Sequence, residues 1–246
     1  MNAPVLLVVA HGTRNPKGVE TVAQLAEAAR RSVDDVRVAF VDVLGPSPSD
    51  VLRELPPNTP IVVVPAFLAS GYHVHTDVPR EVCVGGQDSV FVTDALGPDP
   101  ALAAVLGARV RESGWRQGDT VILAAAGSSD DRALADVEVA ARQLAEDLGS
   151  VVSIAYIATG APRVPCVVAA ARINGSAGSD TRGRVVIASY LLAPGLFHTR
   201  LHKCGAHAVT EPLGVDPAVV DLLVARYRSG AAATASVSAG SRSTRS

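Results

Sequence analysis

Short apolar runs divide the chain at regular intervals. Such continuous runs, rich in Val, Ile and Ala, are typical of strands buried on both faces of a parallel sheet. The predicted strands are Val5–Ala10, Val36–Val43, Ile61–Phe67, Val90–Thr93, Val121–Ala126, Val151–Tyr156, Val185–Leu192 and Ala208–Thr210.

Amphipathic helices are predicted between these strands. The clearest apolar stripe falls on one helical face in the second half of the chain, and a similar one follows the first strand. Strands that alternate with helices indicate βαβ units and a doubly wound α/β architecture. The two stripes are Leu134, Val137, Ala141, Leu144 and Leu148, and Val19, Val22, Leu25 and Ala29.

The pattern occurs twice, which indicates an internal duplication. Residues 95–110 read ALGPDPALAAVLGARV and residues 212–227 read PLGVDPAVVDLLVARY. Asp99 and Asp216 are predicted helix N-caps, because a proline follows each at the first helical position. Each half is therefore expected to form one α/β domain with a four-stranded parallel sheet. Two shorter echoes occur in the same order, 9–12 with 124–127 and 67–71 with 191–195.

Composition places the domain boundaries. A polar stretch at 111–119 predicts domains at 1–112 and 118–228, and a Gly/Ser/Asp-rich loop is expected at 174–183. Residues 229–246 lack apolar periodicity and are predicted to be a disordered tail.

Charge and hydrophobicity exclude several classes of protein. The 246 residues contain 22 Lys and Arg against 24 Asp and Glu, a formal charge of −2, and 48% are hydrophobic. This balance argues against a disordered chain and a general nucleic-acid binder. No apolar run approaches the roughly 18 residues of a membrane span, so no membrane partner is expected. Three widely spaced cysteines and a start without signal-peptide features predict a cytoplasmic protein.

Histidines follow two predicted strands. Ligands of open parallel sheets bind beyond the carboxyl ends of the strands. His11 follows the first strand and His73 lies in the loop after the third, so the two can meet if those strands are neighbours. Two imidazoles can bind a divalent transition metal or accept protons. Asp42, at the end of the second strand, could be a third ligand or a proton acceptor.

Each of these residues also has a purely structural interpretation. A single histidine at a strand end is often a hydrogen-bonded loop residue, and Asp77 before Val78-Pro79 is interpreted as a turn or helix cap. His75 is expected to be a solvated neighbour. The cations Arg14, Lys17, Arg80, Arg200 and Lys203 are either solvated or placed to meet an acidic substrate.

The second half lacks the two candidate histidines of the first half. Ala126 stands where the first half has His11, and Phe197 stands where it has His73. His198 and His202 have i, i+4 spacing but no H-E-x-x-H motif, which disfavours a zinc site there. A P-loop, a dinucleotide fingerprint and a G-x-S-x-G elbow are also missing.

Taken together, these motifs resemble the sirohydrochlorin chelatases, class II enzymes that insert cobalt or ferrous iron into a tetrapyrrole without ATP. Residues 10–14, AHGTR, are similar to the family's HGSR. Phe67-Leu68, Gly71-x-His73 and Asp77-Val78-Pro79 are similar to its FLxxGxHxxxDIP. The repeated Leu-Gly-x-Asp-Pro-Ala completes a resemblance that spans about residues 4–228.

The resemblance implies a fold, a reaction and roles for residues. It implies two flavodoxin-like domains flanking a cleft for the macrocycle, as a monomer or a homodimer. His11 and His73 would hold the incoming metal and help take up pyrrole protons, and Asp42 stands where the family often has a longer glutamate. The metal (Fe²⁺, Co²⁺ or Ni²⁺) would be a substrate, with no permanent cofactor. Arg14, Lys17 and Arg80 are candidates for pairing with the carboxylates of sirohydrochlorin.

Two other functions stay open at this point. The same residues could belong to a non-catalytic carrier of metal or tetrapyrrole. An unrelated α/β hydrolase or transferase is disfavoured by the missing nucleophile elbow.

Overall fold

In the computed structural model the chain divides into two compact units. The structure describes residues 3–174 and 183–240. Unit 1 contains the chain up to Leu96 together with the chain from Val219 onward, and unit 2 is Gly97–Ala218. Most of the predicted loop at 174–183, and residues 241–246 of the predicted tail, lie outside the described residues.

Within the described residues, eight strands form two parallel four-stranded sheets. Unit 1 has the order β2-β1-β3-β4 and unit 2 has the order β6-β5-β7-β8. The predicted α/β class and the predicted duplication of a four-stranded parallel sheet are confirmed. The strands are β1 (Val5–Ala10), β2 (Val36–Phe40), β3 (Ile61–Pro65), β4 (Val90–Val92), β5 (Thr120–Ala125), β6 (Val152–Tyr156), β7 (Val185–Tyr190) and β8 (Ala208–Val209).

Helices connect the strands, as the sequence predicts. One further element, a single π-helical turn at His73–Asp77, leads directly into the third helix. The helices are α1 (Pro16–Ala29), α2 (Pro48–Glu54), α3 (Val78–Gly85), α4 (Pro100–Glu112), α5 (Asp131–Leu148), α6 (Val164–Asn174), α7 (Leu196–Leu201) and α8 (Pro217–Gly240).

The central strands form the core of each unit. Every residue of β1, β3 and β7 is buried, because helices cover both faces of a doubly wound sheet. On α5, the predicted stripe is buried at Val137, Ala141, Leu144 and Leu148. In the described part of the chain, no helix combines the length and the apolar character needed to cross a bilayer.

The last helix of each sequence repeat belongs to the other repeat's unit. In unit 1, the Nε–H of Arg226 on α8 donates to the carbonyl of Ala95, 3.1 Å away. In unit 2, the Nη2–H of Arg109 on α4 donates to the carbonyl of Leu213, 2.7 Å away. The sequence repeat therefore divides the chain near residues 112–118, whereas the contacts assign α4 to unit 2 and α8 to unit 1.

Helix α8 continues well past the expected end of ordered structure. Residues 229–240 are helical, where the composition predicts a disordered tail. The alanines that give this segment low complexity are also the best helix formers. Gly230 lies against the sheet so closely that a Cβ there would be 2.6 Å from Cγ1 of Val62.

Both predicted N-caps are confirmed. Oδ1 of Asp99 accepts from the N–H of Ala101 at 3.0 Å, and Oδ1 of Asp216 accepts from the N–H of Ala218 at 3.0 Å. Each cap satisfies one of the unpaired donors in the first turn of its helix.

Candidate metal centre

The structure brings His11 and His73 into contact. Strands β1 and β3 are neighbours, with Val9 paired to Pro65, so the segments that follow them leave the sheet side by side. His11 comes directly after β1, and His73 begins the π turn that follows β3. Their ring centroids are 4.5 Å apart, with the ring planes at 82°.

The partners at Nδ1 indicate the same neutral tautomer for both rings. Nδ1 of His11 lies 3.2 Å from the carbonyl of Gly12, and Nδ1 of His73 lies 2.7 Å from Oδ2 of Asp77. A carbonyl and a carboxylate only accept, so in each neutral ring Nδ1 carries the proton. The lone pair of each ring therefore resides on Nε2, which leaves two imidazole nitrogens able to bind a metal.

The separation of the rings suits one shared metal ion. Two imidazoles with metal–nitrogen bonds of about 2.1 Å, at angles of about 90° to 109°, have centroids about 4.5–5.3 Å apart. The observed 4.5 Å lies at the short end of this range. In the described residues no group of three His, Cys, Asp or Glu side chains is placed to hold a metal ion together.

Asp77 holds His73 in place. Its carboxylate is buried, with Oδ2 on His73 and Oδ1 3.0 Å from Nη2 of Arg80. Interpreted from the sequence as a turn or helix cap, Asp77 makes no capping hydrogen bond in the structure. The His-x-x-x-Asp spacing could have indicated this pairing, because residues four apart share one helical face.

The three candidate cations differ in their surroundings. Arg80 is engaged with Asp77 and lies 3.9 Å from Glu81, although more than half of its side chain is exposed. Arg14 and Lys17 are exposed on the segment after His11. Neither takes part in an ion pair with the described residues, so both side chains can reach an anionic ligand.

The backbone of Asp42 is hydrogen-bonded to that of His11. Its N–H donates to the carbonyl of His11 at 3.1 Å, and its Oδ1 accepts from the N–H of Val43 at 2.7 Å. Gly12 is required beside it, because its φ is +93° and a Cβ would lie 2.1 Å from the carbonyl oxygen of Asp42. The role of Asp42 as a third ligand stays a prediction.

Two aromatic rings flank His73, a feature that the sequence analysis did not identify. Tyr72 is 56% exposed, and its ring is edge-on to His73 at 6.1 Å. The ring of Phe67 is nearly parallel to that of His73, also at 6.1 Å. In a chain that is only 4% aromatic, two such rings beside one histidine form a surface suited to a flat ligand.

Unit 2 contains the same glycine turn as unit 1, but not the two histidines. Gly127 has φ +91°, and a Cβ there would lie 1.7 Å from the carbonyl oxygen of Thr159, as at Gly12. Ala126 precedes it, and Phe197 occupies the position that corresponds to His73. Both units thus share the glycine turn, whereas the pair formed by His11 and His73 belongs to unit 1.

The family follows from a match over almost the whole chain. The sequence model of the CbiX family matches twice, at residues 5–113 and 120–230. The chain belongs to the CbiX family. The expected resemblance is thereby confirmed, and the two matches correspond to the two sequence repeats.

Known relatives of this CbiX-family chain include a shorter protein. The sirohydrochlorin cobaltochelatase of Sulfurisphaera tokodaii is 28% identical over 109 residues, which cover 44% of this chain and 91% of the relative. Among solved structures, SirB from Bacillus subtilis with Fe³⁺ superposes with a TM-score of 0.79 at 23% identity, over 94% of this chain and 96% of SirB. The sirohydrochlorin chelatase SirB from Bacillus subtilis subspecies spizizenii, in complex with cobalt, has a TM-score of 0.76 at 18% identity, over the same shares of the two chains. These structures share the fold.

Proposed function

We propose that this CbiX-family chain is a chelatase that inserts Fe²⁺ or Co²⁺ into sirohydrochlorin without ATP. The observation that carries the proposal is the contact between His11 and His73, each with its Nδ1 proton engaged and its Nε2 lone pair available. The activity named for the relative from Sulfurisphaera tokodaii supports the same reaction.

The histidine pair suits metal transfer better than metal storage. Imidazole binds Co²⁺, Fe²⁺ and Ni²⁺, and it must be neutral to do so. A pair of protein ligands leaves the other coordination positions of the metal to water or to substrate nitrogens. The metal can therefore exchange water for pyrrole nitrogens before it leaves the histidines.

The two histidines can also accept the two protons that metal insertion releases. Insertion exchanges one divalent metal for two pyrrole protons. When the metal moves into the macrocycle, Nε2 of His11 and Nε2 of His73 each regain a lone pair, and each can accept one of those protons. The carboxylate of Asp77 then faces an imidazolium at His73, which it stabilises.

Substrate recognition uses the surroundings of the pair. Sirohydrochlorin is a flexible polycarboxylate, so the exposed cations Arg14 and Lys17 are proposed to bind its peripheral carboxylates. Arg80 can share in this role while it remains paired with Asp77. The rings of Phe67 and Tyr72 supply the apolar surface against which the macrocycle lies.

An anaerobic insertion assay tests the proposal. Purified chain, sirohydrochlorin and Co²⁺ or Fe²⁺ are mixed without ATP, and the absorbance change of the macrocycle is followed. We expect His11→Ala and His73→Ala each to abolish catalysed turnover and to leave the circular dichroism spectrum unchanged. His75→Ala is the matched control, because this exposed neighbour on the same turn should retain activity.

Two results would contradict the proposal. If both variants remain as active as the wild type, the histidine pair is not the site of insertion. If the wild-type chain binds metal or tetrapyrrole without accelerating insertion, it is a carrier instead.

A further inference from the structure

A second pair of histidines lies in unit 2. His198 is on α7 and His202 is the residue that ends this helix, four positions later. Their ring centroids are 4.7 Å apart and the ring planes meet at 76°, nearly the arrangement of His11 and His73. We propose that His198 and His202, both in unit 2, bind a divalent transition metal ion of their own, in addition to the ion proposed at His11 and His73 (the chelatase pair).

The tautomer of His198 is fixed for metal binding. This side chain is buried, and its Nε2 lies 3.0 Å from the carbonyl oxygen of Thr210. The same carbonyl accepts from Oγ of Ser189 at 2.7 Å. Because a carbonyl only accepts, Nε2 of His198 carries the proton and Nδ1 carries the lone pair. A ring N–H donated to a backbone carbonyl is the usual support of a metal-binding histidine.

The geometry of the pair suits a chelate. The centroid separation of 4.7 Å falls within the range of about 4.5–5.3 Å expected for two imidazoles on one metal. Both rings are also at the carboxyl end of α7, where unpaired carbonyls favour a cation. His202 is exposed, so a metal ion in solution can reach the pair.

The surroundings limit the site to a pair of protein ligands. The nearby thiol of Cys204 donates to the carbonyl of Arg200 at 3.3 Å, so its Sγ is engaged with the backbone of α7. Arg200 and Lys203 are exposed cations that flank His202. These features favour a reversible site for metals that prefer imidazole, such as Co²⁺, Ni²⁺, Cu²⁺ or Zn²⁺, over Mg²⁺ or Ca²⁺.

Counting bound Ni²⁺ tests this site separately from insertion. The full chain, prepared without a polyhistidine tag, is dialysed to equilibrium against Ni²⁺ in the absence of tetrapyrrole. We expect the double variant His11→Ala/His73→Ala to bind one Ni²⁺ per chain, and addition of His202→Ala to remove it. Adding His75→Ala in place of His202→Ala is the matched control and should leave that Ni²⁺ bound.

The result that overturns the inference is specific to His202. If the triple variant with His202→Ala retains its Ni²⁺, or if the double variant binds none, no metal site exists at this pair. Because His202 is exposed, its replacement should leave the thermal unfolding of the chain unchanged. The outcome does not depend on insertion activity, so the chelatase proposal stands or fails by its own assay.

Discussion

His73 depends on a residue four positions later in the chain. Asp77 is buried within the π turn, accepts from Nδ1 of His73, and is itself held by Arg80. The carboxylate thus orients the ring and fixes the nitrogen that faces a metal. Nδ1 of His11 instead faces the neutral carbonyl of Gly12 at 3.2 Å, so the two imidazoles have unequal partners.

We expect Asp77→Asn to weaken metal binding at the chelatase pair by about tenfold or more, because the variant keeps the shape of the side chain but loses its charge. Titration with Co²⁺ in a His202→Ala background measures this site alone. The variant keeps Arg80 unchanged. Its thermal unfolding shows whether the substitution also lowers the stability of the fold.

Asp42→Asn provides the comparison. Its carboxylate accepts from the N–H of Val43 and belongs to no group of three metal-binding side chains among the described residues. If Asp42 only holds the turn through Val43, Co²⁺ affinity stays unchanged in this variant. An equal loss in Asp42→Asn and Asp77→Asn would instead identify Asp42 as a ligand.

At the scale of elements, the ends of the strands were the hardest part to predict. The predicted strand Val36–Val43 extends past β2, which ends at Phe40, and Val43, with a φ of +69°, lies in the turn that follows. The run Ile61–Phe67 likewise continues past β3, and Phe67 lies beside His73. The sequence pattern does not distinguish an apolar residue that is buried in a strand from one that borders a ligand site.

The π turn could not be predicted for a different reason. Its sequence, His-Val-His-Thr-Asp, has no apolar periodicity and therefore reads as a loop. The position of His73 at the correct sheet edge followed from the strand pattern alone. Its orientation by Asp77 required the turn.

Gly12 offers a test of how tightly an element positions the site. We expect Gly12→Ala to lower the free energy of unfolding by about 3 kcal/mol or more and to reduce insertion, because a strained φ is combined with a Cβ in contact with Asp42. Gly86→Ala is the control: its φ is +71°, but nothing lies within 4 Å of the added Cβ, so only strain of about 1 kcal/mol is expected. Urea unfolding measures both, and equal losses would show that contact with Asp42 is unimportant.

At the scale of the whole molecule, the exchanged helices are what the sequence could not show. The repeat at 95–110 and 212–227 was visible in the sequence, and its N-caps were found where expected. Which sheet each helix covers was not visible, because α4 and α8 have nearly the same pattern of apolar positions. Only contacts such as Arg226 with Ala95, and Arg109 with Leu213, assign them.

This exchange predicts the behaviour of the first half alone. A fragment of residues 1–112 keeps the sheet of unit 1 but lacks α8, so the surface of Val62, Phe91 and Thr93 that Gly230 approaches would be uncovered. The fragment does carry α4, which is the counterpart of α8 in the repeat. We therefore expect it to form a symmetric dimer in which each copy contributes α4 to the sheet of the other.

Light scattering after size-exclusion chromatography measures the mass directly. The matched control is a single chain in which residues 213–240 follow residue 96 through a flexible linker, so that α8 covers the sheet in place of α4. We expect this control to be monomeric and the 1–112 fragment to be dimeric at the same concentration. A folded, monomeric 1–112 fragment would show that α4 can cover its own sheet, and the exchange would then be a property of the full chain only.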